Sequence, residues 1–346
     1  MHLYYEKFDY KENKMASYST KRVLKKVVSW AGLFFFVLAA YMLYHQLSRY
    51  SLADIKDALL SIPAHNLGMA CLASLLGYVA LSSYDYLALR YIKRKLAPWK
   101  WIFAGFIGFS VSNNAGHAIV SGGTIRYRLY TRWRFRGTEI VRMVTFSGFT
   151  YLVACFFLII VGYFLTPNHA FGAGSVSKLT TEVVALMSAV GLAIYFGASI
   201  FYKKPIIIKG VEFDIPSLRM ALAQVFIGAA DILMASLVLY FALISFIDIS
   251  FDTFMGVFII AQVLGVFSQV PGGLGVFEGL FMFIIPGEHN HAILFGALVA
   301  YRIIYYLLPL LISGIMLFSY EGYLRLVKKQ RLEKLKIYNA EKMKEL

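Results

Sequence analysis

The chain has 346 residues, of which 59% are apolar, 16% aromatic and only 15% charged, with a mean hydropathy of +0.66. This composition excludes a water-soluble domain as the main body of the protein. The net charge of +15 would suit a nucleic-acid partner, but the basic residues form short clusters between long uncharged stretches. That pattern is typical of basic cytoplasmic loops in a membrane protein, so no nucleic acid is expected.

Eight apolar stretches are at least as long as a membrane-spanning helix requires, which is roughly 20 residues. They are residues 27–47, 66–89, 99–125, 143–165, 183–202, 219–247, 253–285 and 291–320. The first follows a basic N-terminus, residues 1–26, and lacks a following small-residue cleavage pattern, which predicts an uncleaved span rather than a signal peptide. Residues 321–346 form a charged tail.

The charges of the connecting segments predict the orientation, because cytoplasmic loops are enriched in Lys and Arg. The N-terminus, the links after residues 89, 125 and 202, and the tail from Arg325 are all basic. The links near Asp54, Asp248 and Glu288, and residues 166–182, carry no excess of positive charge. We therefore expect the basic links and both termini in the cytoplasm, and the other links outside.

Two of the eight stretches are predicted to be re-entrant helical hairpins. Basic links flank residues 99–125 on both sides, so this stretch should enter and leave on the cytoplasmic side, and its second half is rich in Ser, Asn and Gly. Residues 253–285 contain a Pro-Gly-Gly break and have neutral or acidic links on both sides. Backbone that leaves the helix at membrane depth is tolerated only where protein or a water-filled cavity surrounds it.

The predicted fold class is an all-α polytopic membrane protein with about six full spans and two re-entrant hairpins. Its two halves, residues 27–165 and 183–320, each read span, span, hairpin, span, in opposite orientations. Gly108-Phe109-Ser110 and Gly265-Val266-Phe267-Ser268 precede the two breaks. Inverted repeats with broken helices near the midplane are typical of transporters with alternating access.

Four motifs carry a family resemblance. They are Tyr84-Asp85-Tyr86-Leu-Ala-Leu-Arg90-Tyr-Ile, Ser121-Gly-Gly-Thr-Ile-Arg126-Tyr-Arg128-Leu-Tyr130, Pro271-Gly-Gly-Leu-Gly-Val-Phe-Glu278 and Tyr301-Arg302-Ile-Ile-Tyr-Tyr-Leu-Leu-Pro309. Together they resemble the transmembrane part of the lysylphosphatidylglycerol synthetase/flippase family, also called multiple peptide resistance factors. The resemblance implies that this part moves aminoacylated phosphatidylglycerol between leaflets, while a separate cytosolic domain makes it from aminoacyl-tRNA. The tail is far too short for that domain, so the chain resembles stand-alone membrane relatives.

Ionisable residues within the spans are candidate functional groups, because they are costly in a bilayer. Arg302 is the strongest, since a guanidinium can hold a lipid phosphate in a bidentate pair; the alternative is a structural ion pair with Glu278 or Asp231. Glu278 has two interpretations. In the functional one it couples protons or binds an aminoacyl cation, and in the structural one it only ties the hairpin to Arg302. The same functional and structural alternatives apply to Asp231. Asp85 is expected to cap or to pair with Arg90.

Glycines and arginines around the two breaks are further candidates. Gly122, Gly123, Gly272 and Gly273 permit tight turns and close helix approach, and their backbone N–H groups suit a phosphodiester. Arg126 and Arg128 follow the first break and are expected near the cytoplasmic leaflet, where they fix topology and gather anionic headgroups. These candidates form the predicted translocation path together with Arg302, Glu278 and Asp231.

The predicted function is translocation of phosphatidylglycerol, aminoacyl-phosphatidylglycerol or a related anionic amphiphile across a bacterial inner membrane. No enzyme is expected, since no HExxH, GxSxG or paired-carboxylate motif occurs, and no metal or cofactor is predicted. The alternative is a non-transporting membrane partner or regulator of a lipid or envelope enzyme, which would not need a polar central cavity. The sequence leaves open a separate lipid synthase as partner, and a homo-oligomer.

Overall fold

The computed structural model describes residues 56–57, 60–115, 118–165, 178–208, 210–268, 270–285 and 290–344. The basic N-terminus and the first predicted span, residues 27–47, lie outside the described residues, as do the links around Asp54 and Glu288.

The described residues form ten α-helices, one β-hairpin, a 3₁₀ turn and a π-helical segment. In chain order they are α1 (Ala64–Tyr91), α2 (Pro98–Ala115), α3 (Ala118–Arg132), α4 (Gly137–Leu165), α5 (Lys178–Phe201), β1 (Ile206–Ile208), β2 (Val211–Phe213), α6 (Leu218–Leu243), α7 (Phe251–Phe267), the 3₁₀ turn (Pro271–Gly273), α8 (Val276–Ile284), α9 (His291–Tyr301), the π segment (Arg302–Leu307) and α10 (Leu308–Lys344).

Five helical stretches are long and apolar enough to cross a membrane. They are Ala64–Tyr91, Gly137–Phe164, Glu182–Phe201, Leu218–Leu243 and Ile293–Val327. These five coincide with five of the six predicted spans, whereas the sixth falls outside the described residues and the total stays a prediction. Large apolar side chains on these helices point outward, such as Phe201, Phe226 and Phe318, which are 84%, 73% and 80% exposed. Such surfaces suit lipid rather than water, and the chain is a helical multi-pass membrane protein.

The helices α2 and α3 form the first hairpin and run antiparallel. Gly108 of α2 lies opposite Arg126 of α3, and Ser112 lies opposite Gly122. Both ends of the hairpin are at the same end of the bundle, because a guanidinium nitrogen of Arg94, before α2, donates to the carbonyl oxygen of Arg134, after α3, at 3.3 Å. The re-entrant placement of this hairpin in a membrane stays a prediction.

The helices α7 and α8 form the second hairpin. Their aromatic rings pair in antiparallel order, with Phe258 against Phe277 at 5.6 Å and Phe254 against Phe281 at 5.7 Å between ring centroids. The chain reverses through the 3₁₀ turn, where Gly272 has a φ of +62°. This left-handed conformation favours glycine, which lacks the Cβ that would make it strained. Residues 253–285 are therefore a broken helix, as the Pro-Gly-Gly sequence predicts.

The centre of the bundle is built by α1 and α6, which pack along most of their length. Small residues allow their close approach to neighbouring helices. A Cβ on Gly77 would lie 3.3 Å from the side chain of Met234, and one on Gly228 would overlap the side chain of Ala154. Packing through small residues is the common way in which membrane helices associate, because lipid gives them no hydrophobic driving force.

The link between α5 and α6 contains a β-hairpin, which departs from the predicted all-α class. Ile206 pairs with Phe213 and Ile208 with Val211 in antiparallel register. Three consecutive isoleucines favour an extended backbone, and Gly210, with a φ of +79°, provides the turn. The side chains of β1 are exposed.

Ion pairs join helix ends and connecting segments at one end of the bundle. They are Arg94 with Glu139 (3.6 Å), Arg128 with Glu321 (3.0 Å), Arg132 with Glu321 (2.7 Å) and Arg142 with Asp214 (2.5 Å). In the sequence they belong to the predicted basic links and to the start of the tail, whereas in the structure most of them lie near helix ends, with Arg128 and Arg132 in α3, Glu139 and Arg142 in α4 and Glu321 in α10. Among the described residues, the segments predicted to be cytoplasmic are therefore neighbours in space.

Candidate functional site

Arg302 begins the π segment and is fixed by the second hairpin. Its Nε donates to Oε1 of Glu278 at 2.5 Å, and its Nη1 donates to the carbonyl oxygen of Gly272 at 2.5 Å. The other carboxylate oxygen of Glu278 accepts the backbone N–H of Gly275 at 2.8 Å, which caps the first turn of α8. The sequence left Glu278 and Asp231 open as ion-pair partners of Arg302, and the structure pairs Arg302 with Glu278. We call these residues the Arg302 cluster.

The remaining side of the Arg302 guanidinium has aromatic neighbours. Its Cζ lies 4.4 Å from the ring centroid of Tyr306 and 5.7 Å from that of Phe277. Only 11% of the side chain is exposed, and its buried Nη2 has no hydrogen-bond acceptor among the described residues. A buried donor without an acceptor costs about 1–3 kcal/mol, so this nitrogen is available to an anion that reaches it.

Arg126 lies in the first hairpin, on α3, and pairs with a carboxylate of α1, whereas the second hairpin provides the carboxylate and not the arginine. Its Nε donates to both carboxylate oxygens of Asp85, at 2.8 Å and 3.2 Å, and the hydroxyl of Tyr130 donates to Oδ2 of Asp85 at 2.8 Å. Asp85 and Arg126 are only 1% and 3% exposed. The Nη2 of Arg126, like that of Arg302, is buried without an acceptor in the described part of the chain. These residues form the Arg126 cluster.

This pair corrects the predicted partner of Asp85. The predicted partner, Arg90, is exposed and forms no ion pair within the described residues. Residues five positions apart on a helix point about 140° apart, so Arg90 faces away from the carboxylate. Arg126 is buried within the protein, whereas Arg128, 53% exposed by its side chain, pairs with Glu321. Their position near a membrane leaflet stays a prediction.

Glycines make room for the Arg126 guanidinium. A Cβ on Gly108 would lie 3.0 Å from the Cζ of Arg126. A Cβ on Gly122 would lie 3.1 Å from its Nη1, 2.8 Å from the carbonyl oxygen of Gly108, and in overlap with the hydroxyl of Ser112. The neighbouring Gly123 faces Val144 at an ordinary contact distance of 3.7 Å. Gly122 thus has a packing constraint that Gly123 does not share.

Asp231 lies apart from both arginines. Its Oδ2 accepts the hydroxyl of Tyr84 at 3.0 Å and its Oδ1 accepts that of Tyr305 at 3.1 Å. It does not form the ion pair with Arg302 that the sequence left open. Tyr84 stands edge-on to Phe109, at 5.3 Å between centroids, and Phe109 lies 4.2 Å below the Cζ of Arg126.

The end of α2 meets the break of the second hairpin. A Cβ on Gly272 would lie 3.3 Å from the carbonyl oxygen of Asn113 and 3.6 Å from that of Asn114. The amide of Asn114 donates to the carbonyl oxygens of Ser110, at 2.8 Å, and Tyr306, at 3.1 Å. The end of α2 therefore connects the Arg126 cluster to the Arg302 cluster. Gly272, Glu278 and Arg302 are in direct contact, whereas Gly122 belongs to the Arg126 cluster.

Sequence reasoning did not single out the phenols and the aromatic ring that complete these clusters. The residues are Tyr84, Phe109, Tyr130, Tyr305 and Tyr306. The available signal was the repeated occurrence of Tyr within one or two turns of an ionisable residue, because buried phenols need hydrogen-bond partners. Within the described residues, no group of three His, Cys, Asp or Glu is placed to hold a metal ion.

Comparison with known proteins gives the family. The family described as "Lysylphosphatidylglycerol synthase TM region" matches residues 27–313. An uncharacterized protein of Synechocystis sp. is 30% identical over 303 residues, which cover 87% of this chain and 94% of that protein. The inner membrane protein YbhN of Escherichia coli is 26% identical over 298 residues, which cover 84% and 91% of the two chains.

A phosphatidylglycerol lysyltransferase of Staphylococcus xylosus shares part of its length. It is 27% identical over 301 residues, which cover 81% of this chain but 32% of that protein. The chain therefore spans nearly all of the first two relatives and about a third of the lysyltransferase. The buried arginines and their carboxylates all lie within residues 27–313, and the chain belongs to the family of the lysylphosphatidylglycerol synthase transmembrane region.

Proposed function

We propose that the protein moves an anionic phospholipid, phosphatidylglycerol or an aminoacylated derivative, between the leaflets of a bacterial cytoplasmic membrane. The name of the Staphylococcus relative refers to phosphatidylglycerol, and that of the Escherichia coli relative to the inner membrane. The lysyltransferase activity is a property of a much longer protein, so we propose that this chain transports lipid and that a separate synthase supplies any aminoacylated form.

One observation carries the proposal: each hairpin contributes one member of a buried arginine–carboxylate pair whose guanidinium has an unused donor. Arg126 and Arg302 are both neutralised by a carboxylate through Nε, and both have a buried Nη2 without an acceptor in the described residues. A phosphodiester is an anion with two oxygens that match the donors of a guanidinium. Two such sites, connected by the end of α2, would let a headgroup pass from one to the other.

The contacts of Arg302 suggest how binding would open the path. Its Nη1 bonds to the carbonyl oxygen of Gly272, at the point where the second hairpin meets the first. A phosphate that competes for this nitrogen would release the contact between the hairpins. We propose that the hairpins are re-entrant, that the halves are inverted copies and that the ion-paired end faces the cytoplasm, which together would give alternating access around the clusters.

The experiment measures headgroup translocation in proteoliposomes that carry labelled phosphatidylglycerol or its lysyl derivative. Arg302→Ala would leave Glu278 as an unpaired buried anion, so loss of fold and loss of function would be confounded. The double variant Arg302→Gln/Glu278→Gln keeps the site neutral and similar in volume. We expect it to fold but to move lipid about 10-fold more slowly or worse, the effect of losing a charged hydrogen bond.

Arg90→Gln is the matched control, because Arg90 is exposed and outside both clusters. It should translocate lipid like the wild type. If the double variant does so too, Arg302 does not bind the headgroup. If wild-type liposomes match empty ones with both lipids, phospholipid transport is wrong, and the protein is better explained as a membrane partner of another enzyme.

A further inference from the structure

Asp231 is a buried carboxylate of α6 without a cation beside it. It is 4% exposed, and each of its two oxygens accepts one phenolic hydroxyl, from Tyr84 and from Tyr305. Asp85 and Glu278, the other two buried carboxylates among the described residues, each have an arginine. Among the residues that the structure describes, no Lys or Arg forms an ion pair with Asp231.

The ionisable groups that face Asp231 from neighbouring helices are phenols and a thiol. They are Tyr78 and Tyr84 of α1, Tyr151 and Cys155 of α4, and Tyr305 of the π segment. The helices α5, α7 and α9 also contact α6 and bring no cation to its middle. The residues of these three helices that can carry a charge lie in the first two turns, at Lys178 and Glu182 of α5, Asp252 of α7 and His291 of α9. Their phenols are Tyr195 of α5, which bonds to Gln224, and Tyr301 of α9.

An ionised carboxylate in such surroundings is unfavourable. Two hydroxyl donors replace only part of the hydration that the anion loses, and no positive charge compensates the rest. A protonated carboxyl has no net charge, and its own O–H can donate to a phenolic oxygen. The site therefore suits a carboxyl group that binds a proton.

The charge of Asp231 would influence both arginine clusters through contacting rings. On one side, Tyr84 touches Phe109, over which Arg126 lies at 4.2 Å. On the other side, Tyr305 touches Tyr306 at 5.4 Å between centroids, and Arg302 lies 4.4 Å above that ring. An anion at Asp231 would attract either guanidinium away from its present carboxylate.

We propose that Asp231 is a proton-binding site whose loading and release accompany the movement of lipid through the two arginine clusters. With the proton bound, the arrangement described above is stable. When the proton leaves to water, the new anion competes with Asp85 and Glu278 for the arginines and changes the contact between the hairpins. The coupling rests on the proposed function, whereas proton binding does not depend on which molecule is moved.

Infrared spectroscopy of the full chain in lipid nanodiscs tests proton binding directly. We expect a C=O stretching band of a protonated carboxyl group at neutral pH, which Asp231→Asn removes. The double variant Arg302→Gln/Glu278→Gln is the matched control, since it removes a carboxylate that Arg302 neutralises without leaving a buried charge, and the band should survive there. Tyr305→Phe keeps Asp231 but deletes one donor, and should shift the band to higher frequency. A spectrum unchanged in Asp231→Asn overturns the proposal, as does a band that responds to sodium ions at constant pH.

Proteoliposomes with an imposed pH gradient test the coupling. One pH unit corresponds to a factor of about 10 in the leaflet distribution of labelled phosphatidylglycerol for one coupled proton. Wild type should show this shift, and Asp231→Asn should equilibrate lipid independently of the gradient. A wild type that moves lipid but ignores the gradient contradicts the coupling. If neither the wild type nor Asp231→Asn moves lipid, the proposed function is wrong, and the infrared result still decides whether Asp231 binds a proton.

Discussion

At the residue scale, each buried arginine uses Nε for its carboxylate and leaves one terminal nitrogen unused. This arrangement depends on the planar fork of a guanidinium, in which several donors point in fixed directions. A lysine at either position would present a single ammonium group and could not hold the carboxylate and an additional anion in the same geometry. The identity of the two cations as arginine therefore has a geometric reason.

Breaking the Asp85–Arg126 pair from one side should be much worse than removing both members. Asp85→Asn leaves the guanidinium uncompensated, and we expect it to lower the free energy of unfolding by about 3–5 kcal/mol. The double variant Asp85→Asn/Arg126→Gln should lose less than the sum of the two single variants. Denaturant unfolding in mixed micelles measures this double-mutant cycle. If the losses in free energy of unfolding of the two single variants simply add up in the double variant, the 2.8 Å contact contributes nothing. The control is Arg90→Gln, whose free energy of unfolding should stay within about 0.5 kcal/mol of wild type.

Gly122 and Gly123 are adjacent in sequence but should respond differently to alanine. The new methyl group at 122 would overlap the hydroxyl of Ser112 and lie 2.8 Å from the Gly108 carbonyl oxygen, so Gly122→Ala should destabilise by about 1–3 kcal/mol. Gly123→Ala meets only ordinary contacts and gains helix propensity, so it should be neutral or stabilising by up to about 1 kcal/mol. Equal unfolding midpoints for the two variants would contradict the packing described for the first hairpin.

Local chemistry predicted some of these contacts and missed others. The pairing of Arg302 with Glu278 could be considered from sequence, because both are ionisable residues in apolar surroundings of the same half. The pairing of Asp85 with Arg126 could not, because it depends on where α3 returns after the first break. Sequence proximity instead suggested Arg90, on the wrong side of α1.

At the element scale, Asn114 at the end of α2 connects the two hairpins. Its amide donates to the carbonyl oxygens of Ser110 and Tyr306. Asn114→Asp would place a carboxylate against these two acceptors, and we expect a loss of about 1–3 kcal/mol together with faster hydrogen exchange in the second hairpin. Asn114→Leu removes the donor without adding charge and should be milder. If Asn114→Leu is as damaging as Asn114→Asp, electrostatic repulsion at this junction is not the cause.

The lengths of the apolar stretches predicted the membrane-spanning helices, but they could not predict elements that depend on local hydrogen bonding. The five described spans follow from uninterrupted apolar stretches, and the break after α7 follows from its Pro-Gly-Gly sequence. The π segment was not predicted, because a change of hydrogen-bond register leaves the apolar pattern of Tyr301-Arg302-Ile-Ile-Tyr-Tyr unaltered. Such segments are frequent at functional sites, and this one begins at Arg302.

At the scale of the whole molecule, α6 separates two exposed positions that should lie on opposite sides of the membrane. Its 26 residues span about 39 Å, with Lys204 before one end and Asp248 beyond the other. In a variant without Cys71 and Cys155, we expect Lys204→Cys to react with a membrane-impermeant thiol reagent only from the cytoplasm. Asp248→Cys should react only from outside.

The parent variant without cysteines is the control for background labelling. Labelling of both new positions from the same side would contradict α6 as a full span. Labelling in the reverse sense would keep the span but overturn the orientation, which rests on the basic links joined by Arg94, Arg128 and Arg142.

The two buried ion pairs also bear on biogenesis. In each, the acid leaves the ribosome first, since Asp85 precedes Arg126 by 41 residues and Glu278 precedes Arg302 by 24 residues. Each nascent arginine, which would cost about 2.5–3.5 kcal/mol to insert alone, reaches the membrane with its counter-ion already made. Neither ion pair joins one half to the other. The buried charges of Asp85 and Arg126 in the first half can therefore pair during translation, before the second half has been synthesised. The hydrogen bond between Tyr84 and Asp231, by contrast, joins the two halves and can form only after both have been made.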